Sequence, residues 1–290
     1  MGIITMNENG WCSNQLREAM KRRNITPVCF SFPQLVARVK YSPKESVGET
    51  NLLEDLRTLN IRPIGRGSLE EIIFRMDLLH RLERSGMLVI NPPSAIERSV
   101  DKYHALTLLE EHGLPVPRTA VTESHVEALR SFHELGGNVV IKPLFGSRGI
   151  GSTRISDPDV ATRVFRTVSF YHGVLYLQEF IPHGFSDIRA FVIGNRVLAS
   201  MRRVAETWKT NVSLGAKPMP LKLNEELANL AVKASKVIGC KVAGVDILEG
   251  PEGPVIVELN SQPGWRGLQS VTEINIADEI IHFILSELRM

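Results

Sequence analysis

The residues with the clearest chemical potential stand in the stretch VAGVDILEGPEGPVIVELNSQPGW, residues 242–265. It reads as two apolar strands joined by a turn, yet it carries Asp246, Glu258 and Asn260. An unpaired charge taken out of water is costly, so such carboxylates must be paired or must hold a cation. Glu258 and Asn260 are two apart and leave the same face of their strand. Asp246 joins them only in the right register, because directly opposed residues share a face. A tidy two-residue turn at Pro251-Glu252 pairs residues whose numbers sum to an odd total, which turns Asp246 to the wrong face. Convergence therefore requires an odd-length loop or a bulge. Gly250, Pro251, Gly253 and Pro254 favour an irregular loop. The expectation is that 249–254 is not a simple two-residue turn. If the three side chains meet, their hard oxygen ligands suit Mg²⁺, with Mn²⁺ as the alternative ion, and not the softer ligation of zinc. The competing account is a solvent-facing edge with an incidental Asp and Glu.

A second constellation lies in VVIKPLFGSRGIGS. A strand delivers Lys142, and a loop follows with Gly146, Gly149 and Gly151 around Ser147 and Arg148. Glycine allows close backbone approach, so such a loop can turn its N–H groups to phosphate oxygens while Lys142 and Arg148 supply positive charge. No Gly-Lys-Ser/Thr opens a helix here, and no dinucleotide fingerprint is present. A flexible hairpin with a solvated lysine explains the loop equally well. In YLQEFI a strand runs out at Gln178 and Glu179, either a polar strand end or an edge for an adenine base, with the Glu179 carboxylate available for its amino group. Asp187 and Arg189 are two apart and share a strand face, exposed or turned to a ligand. Arg202, Arg203, Lys209 and Asn211 crowd SMRRVAETWKTNVSLG, which reads as a solvated loop or as an anion-binding lid.

The composition frames these sites as those of an ordinary globular protein. The 290 residues allow two domains or one subdivided one, and 43% hydrophobic with 23% charged residues is typical of such chains. A net charge of +2 gives no whole-molecule affinity for nucleic acid or membrane. Cys12, Cys29 and Cys240 are scattered and form no metal-ligand or disulfide pattern. MGIITMNENGWC is no signal peptide, Met6 stands where a myristoylation signal needs Ser or Thr, and no apolar run reaches membrane-spanning length. A cytoplasmic protein is the expectation.

The elements that must position these residues follow from periodicity and caps. In the first hundred residues MGIIT and TPVCFSF read as strands flanking a helix in SNQLREAMKRRN. ESVGETNLLEDLRTLNI reads as part loop and part helix. GSLEEIIFRMDLLHRLERSG is an amphipathic helix with Ser68 and Glu71 as a capping box and Gly86 as its stop. MLVINPPSAIERSVD reads as a strand ending at Pro92 and Pro93. This alternation predicts a parallel sheet flanked by helices, a small α/β domain. Farther on, DKYHALTLLEEHG, ESHVEALRSFHELGG, NEELANLAVKASKVIGC and NIADEIIHFILSELRM read as helices. NVVIKPLFGSRGIGSTRI reads as strand, loop and strand, and DIRAFVIGNRVLASMRRVA as a hairpin turning at Gly194-Asn195. The chain divides into 1–97, 98–176 and 177–290.

In the order SVDKYHALTLLEEHGLPVP, VVIKPLFGSRGIG, LQEFI, DIRAFVIG, MRRVAETWKTN, VAGVDILEG and VIVELNSQPG, the chain from about residue 95 resembles the ATP-grasp superfamily, most of all its RimK-like branch of amino-acid ligases. That resemblance implies an N-terminal α/β domain followed by a two-subdomain ATP-grasp fold, α/β and α+β in class. It implies ATP between the subdomains, with Lys102 and Lys142 on the phosphates. The backbone around Glu179 and Phe180 falls on the adenine. Asp187, Lys209, Thr210 and Asn211 fall at nucleotide-binding positions, and Asp246, Glu258 and Asn260 at the magnesium site. Arg189, Arg202 and Arg203 become catalytic candidates for an acyl phosphate and the incoming carboxylates. The segments 145–151 and 205–215 become candidate lids.

The reaction implied is ATP-dependent joining of a carboxylate to an amine, with L-glutamate as the amino acid and a carboxylate acceptor. KPLFGSRG is more similar to members that glutamylate a pterin or deazaflavin coenzyme than to the ribosomal-protein enzyme. Lys209 stands where RimK itself tends to have Arg, which keeps the charge and loses the fork. No Ser/His/Asp or Cys/His nucleophile is needed. The branch also implies a homo-oligomer, dimer or tetramer. The rivals are a ligase of the same fold for another amino acid or a protein acceptor, and a nucleotide-binding regulatory protein without turnover.

Overall fold

The computed structural model describes residues 1–146 and 149–289. Strands Gly2–Ile4, Val28–Phe30, Thr58–Ile61 and Leu88–Ile90 form a parallel sheet in which Gly2–Ile4 lies between the second and third. Parallel neighbours need crossovers, and helices Trp11–Lys21 and Leu69–Arg84 provide two of them. The capping box at Ser68 and Glu71 is formed as expected. Two stretches depart from the sequence reading. Residues 45–61 hold two short strands, Glu45–Val47 and Thr50–Asn51, which join Leu35–Ala37 in a small antiparallel sheet, then one helical turn and the strand Thr58–Ile61. Pro93 begins a helix, Pro93–Val100, and does not prolong an extended segment. Proline in a first turn gives up no hydrogen bond, because that N–H has no helical partner.

Strands Thr153–Ile155, Val139–Lys142, Leu175–Glu179 and Thr119–Thr122 make an antiparallel sheet, in that spatial order. Helices His125–Glu134 and Pro158–Phe170 bury Phe132 and Phe165 against Leu175 and Leu177. The second helix is not among those expected from the sequence, although Asp157 caps it by accepting from the Asp159 and Val160 N–H groups. The 176/177 position falls inside the strand Leu175–Glu179.

The last sheet has five antiparallel strands in the order Lys217–Pro220, Arg196–Val204, Ser186–Ile193, Val242–Gly250 and Gly253–Asn260. One face buries Ile188, Ala190, Val245 and Ile247 against helix Glu225–Ile238 and the Ala105 and Leu109 side chains of helix Lys102–Glu111. The chain just after residue 98 thus packs with this sheet and not with the four-stranded one. Helix Ile276–Glu287 joins Phe191, Ile193 and Met201 to the Leu16 and Met20 side chains of the first helix in a second core. Among the described residues no helix is long and apolar enough to cross a membrane.

The hairpin of residues 242–260 settles the register question, and it corrects one expectation. Gly250 pairs with Gly253, so the turn is the simple two-residue one at Pro251 and Glu252. The odd sum is undone farther along, where the pairing shifts between Asp246 and Ile247. Ile247 opposes Ile256 but Asp246 opposes Glu258, so Val257 is the extra residue of a bulge. Gly244 opposes Asn260. Asp246, Glu258 and Asn260 therefore share a face after all, through the bulge and not through the loop.

Asn91, at the end of the last parallel strand, joins the N-terminal domain to this hairpin. Its side-chain oxygen accepts from the N–H groups of Lys241 (2.7 Å) and Val242 (2.8 Å). Its amide donates to the Val242 carbonyl at 2.7 Å and also to the Ser261 carbonyl. The residue is 1% exposed, so water cannot replace these bonds. Stranding buried backbone groups costs about 1–3 kcal/mol each. Asn91→Ala is expected to lower stability by about 3 kcal/mol or more, measured as the shift in a urea unfolding curve; a loss near zero would contradict this account of the domain joint.

Candidate functional site

The four-stranded and five-stranded antiparallel sheets face each other across a cleft lined from both. On one wall, strand alternation turns Val140 and Lys142 the same way, and Gln178 lies opposite Val140 on the next strand. The Lys142 Nζ donates to the Gln178 Oε1 at 2.6 Å, while the Gln178 amide donates to Thr119 and Tyr176. Lys102 comes from the first turn of its helix and donates to the carbonyls of Leu144 (3.3 Å) and Gly146 (2.9 Å), which pins the glycine-rich loop. Burial brings the Lys142 ammonium down to about 8; Glu258 across the cleft opposes this and Lys102 adds to it. Burial also lowers Lys102, against the pull of Glu258 and Asp101. Two amines thus compete for one carboxylate, and the cleft has an appetite for further negative charge.

The other wall carries a buried ion network on one face of the five-stranded sheet. Asp187 is the cross-strand neighbour of Arg203, and Arg189 that of Asp246. Arg203 Nε donates to Asp187 Oδ1 at 2.6 Å, and its Nη2 reaches both Asp187 Oδ2 and, at 3.0 Å, Asp246 Oδ1. Arg189 grips Asp246 through Nε and through Nη2 at 2.8 Å. The Thr210 hydroxyl donates to Asp187 Oδ2 at 2.7 Å. Two arginines and two aspartates balance, as buried charges must. Burial alone would raise Asp246, but Arg189 and Arg203 outweigh it and hold the carboxyl below its ordinary value.

Most of the residues singled out from the sequence come together here. Lys102, Lys142, Gly149, Gln178, Glu179 and Phe180 line the cleft from one side, and Asp187, Arg203, Lys209, Thr210, Asn211, Asp246 and Glu258 from the other. Gly149 has φ +70°, and a Cβ there would lie 2.5 Å from the Asn211 Oδ1, so the two candidate lids touch. Ser147 and Arg148 lie outside the described residues.

Three expectations need correction. Arg202 sits on the opposite sheet face, as the partner of Ile188, and pairs with Glu249 at 2.6 Å, so it does not enter the cleft. The Glu179 carboxylate is not available to an adenine, because it accepts from the Arg118 N–H at 2.8 Å and from Arg118 Nε at 2.7 Å. The Glu179 and Phe180 N–H groups are likewise committed, to the Arg118 and Asn138 carbonyls. Leu248, Val257, His183 and Trp208 also line the cleft and were missed. Leu248 shares the face of Asp246 by simple alternation and could have been found; Val257 lines the cleft beside Glu258 only because of the bulge.

The oxygen set fits a hard divalent cation in part. Glu258 and Asn260 offer oxygens on the cleft face, and the Asn260 amide nitrogen is buried without a partner. Asp246 has most of its acceptor capacity taken by the two guanidinium groups and adds charge more than open lone pairs. Among the described residues no group of three or more His, Cys, Asp or Glu gathers, so the cation would need phosphate and water oxygens to complete its shell.

Comparison with known proteins agrees with this geometry. The RimK-like ATP-grasp domain model matches residues 99–284. The tetrahydromethanopterin:alpha-L-glutamate ligase of Methanococcus maripaludis is 34% identical over 286 residues, covering 97% of this chain and 96% of that one. The enzyme of the same name from Methanocaldococcus jannaschii is 36% identical and covers 98% of each chain. The fold is that of the ATP-grasp ligase PsnB solved with its minimal precursor, at TM-score 0.79 and 20% identity, covering 99% of this chain and 98% of that one. The chain belongs to the RimK-like ATP-grasp family.

Proposed function

We propose that this protein is an ATP-dependent carboxylate–amine ligase that adds L-glutamate to a carboxylate of a pterin-type coenzyme. The observation that carries this is the pairing of the two walls. A cationic, glycine-loop wall with Lys102 and Lys142 faces Asp246 and Glu258 across the cleft, with Asn260 on the same strand face as Glu258. The coenzyme as acceptor is supported by the two methanogen relatives, which match over nearly their full length and carry tetrahydromethanopterin and glutamate in their names. A dimer or tetramer and a cytoplasmic location belong to the same reading.

In this reaction a substrate carboxylate takes the γ-phosphoryl group of ATP and becomes an acyl phosphate. The amine of glutamate then forms the amide and releases phosphate. Bound Mg²⁺, or Mn²⁺ in its place, would neutralise polyphosphate charge, with Glu258 and Asn260 as its ligands and Asp246 beside them. The chain's own groups do the positioning. Lys142, held by Gln178, and Lys102 compensate the phosphates. Arg189 spends Nε and Nη2 on Asp246, which leaves Nη1 for a substrate oxygen. Arg203 is 4% exposed and acts by holding Asp187 and Asp246 in place. The glycine-rich loop and the segment around Asn211 close over the reacting groups and exclude water from the acyl phosphate.

ADP release should depend on both L-glutamate and a pterin carboxylate acceptor, with mass spectrometry showing the acceptor heavier by glutamyl units. ADP that appears without either would sink the ligase reading. Glu258→Gln should keep the fold and lower magnesium-dependent turnover by roughly 100-fold or more, the upper end of what even outer-shell changes cost at metal sites. Near-normal turnover would refute the metal assignment.

Lys142 makes a pH prediction. Phosphate oxygens favour its charged form, so nucleotide binding raises its pKa from about 8 and takes up a proton. Affinity for a non-hydrolysable ATP analogue should therefore fall as pH rises above about 8, by up to about tenfold per unit. Calorimetry in buffers of different ionisation heat should register proton uptake, and Lys142→Met should abolish it. A pH-independent affinity would contradict the role given to Lys142.

A further inference from the structure

Arg62 follows the strand Thr58–Ile61 at the carboxyl ends of the parallel strands, the edge where open parallel sheets receive ligands. Its N–H continues the sheet by donating to the Ile4 carbonyl at 2.8 Å, so its position is fixed. The residue is 8% exposed, yet among the described residues its guanidinium has neither a carboxylate partner nor a hydrogen-bond acceptor. It lies 4.8 Å over the indole of Trp265, which in turn meets Trp11 edge-on at 6.3 Å. A cation with no charge partner in so confined a place carries a desolvation cost, which the aromatic face offsets in part, while its nitrogens are not sealed from solvent.

Trp265 sits on the segment that continues from the cleft strand through Asn260. Within this segment the Asn260 and Gln262 amide nitrogens and the Trp265 indole N–H are all buried without an acceptor. Orphaned buried donors of this kind are rare in a folded chain. Here three fall within six consecutive residues, with the Arg62 guanidinium stacked on the last. All three unpaired atoms are donors, as is the guanidinium, so the chemistry that would satisfy this stretch is that of an acceptor-rich anion. A guanidinium fork matches a carboxylate in shape and charge. Arg62 projects from a different domain than Lys142, Glu258 and Arg189, which serve the reacting groups.

We propose that Arg62, stacked on Trp265, binds a spectator carboxylate of a substrate, one that is held and not phosphorylated. This deepens the ligase reading above and rests on it for the identity of the substrates. Both substrates of that reaction bring carboxylates, the amino acid and the coenzyme acceptor, and the fork recognises the group they share.

The test uses the full chain with Arg62→Met and Arg62→Lys. Thermal unfolding is followed with L-glutamate, with glutarate and with tetrahydromethanopterin as probes. At least one probe should raise the melting temperature of the unsubstituted protein. Arg62→Met should lose that rise, and Arg62→Lys should keep part of it. Without ligand, Arg62→Met should melt no lower than the parent, because it removes an uncompensated charge; a structural arginine would give the reverse. In turnover, Arg62→Met should raise KM for one carboxylate substrate by roughly 10–100-fold, in line with the loss of a charged hydrogen bond, with nucleotide affinity unchanged. A raised KM for glutamate assigns the carboxylate to the amino acid, and a raised KM for the pterin assigns it to the acceptor. A carboxylate-induced rise that persists in Arg62→Met, or no rise in the parent with any probe, overturns the proposal. If the parent never releases ADP yet shows an Arg62-dependent rise, the ligase reading fails and the carboxylate subsite stands.

Discussion

The cleft depends on one balanced set of buried charges, Asp187, Arg203, Asp246 and Arg189, linked edge to edge on a single face of the five-stranded sheet. Each aspartate faces its arginine as a direct cross-strand neighbour, so the sheet register itself decides that the charges meet. Such a network adds little net stability, because desolvation cancels most of the attraction. What it provides is position. Removing any one member strands a partner in the interior, at a cost of about 3–5 kcal/mol, so the side chains have little freedom to turn elsewhere. Thr210 ties the 205–215 segment to the same network through Asp187. The floor of the cleft and the 205–215 segment are therefore held by the same ions.

The opposite wall answers this floor with incomplete charge. Lys102 and Lys142 both feel Glu258, and burial weakens the hold of Lys142 on its proton. Before a ligand arrives, the cations on this wall are poorly compensated. In the proposed reaction, a polyphosphate with its divalent ion would supply negative charge for the lysines and a cation for Glu258 and Asn260. The same logic runs at the domain joint, where Arg62 and the orphaned donors of residues 260–265 await an acceptor. Asn91 keeps that joint closed, so the N-terminal domain presents Arg62 to the segment that continues from the proposed metal ligands.

Much of this was legible in the sequence, and the limits have a physical cause. Caps and periodicity locate the helix after Ser68 and the hairpin at Gly194, because both signals are local. Alternation alone places Glu258 and Asn260 on one face. The need for an odd loop or a bulge to bring in Asp246 was also legible, but not which of the two, since Val257 bulges for reasons of pairing that no local pattern carries. Arg202 and Arg203 are adjacent and chemically identical, and strand alternation sends them to opposite faces. Only the register of the neighbouring strand says which one meets Asp187. Arg118, just before the strand Thr119–Thr122, claims Glu179. Asn91 finds its partners Lys241 and Val242 at sequence separations of 150 and 151 residues, and only the fold brings them together.

In the proposed reaction a substrate carboxylate is activated by phosphoryl transfer before an amine attacks it. This order is tested most directly by running the reaction with an acceptor whose carboxylate carries ¹⁸O and examining the phosphate by mass spectrometry. An acyl phosphate intermediate places an acceptor-derived ¹⁸O in the released phosphate as the amide forms. Phosphate free of the label, alongside amide product, would contradict the account.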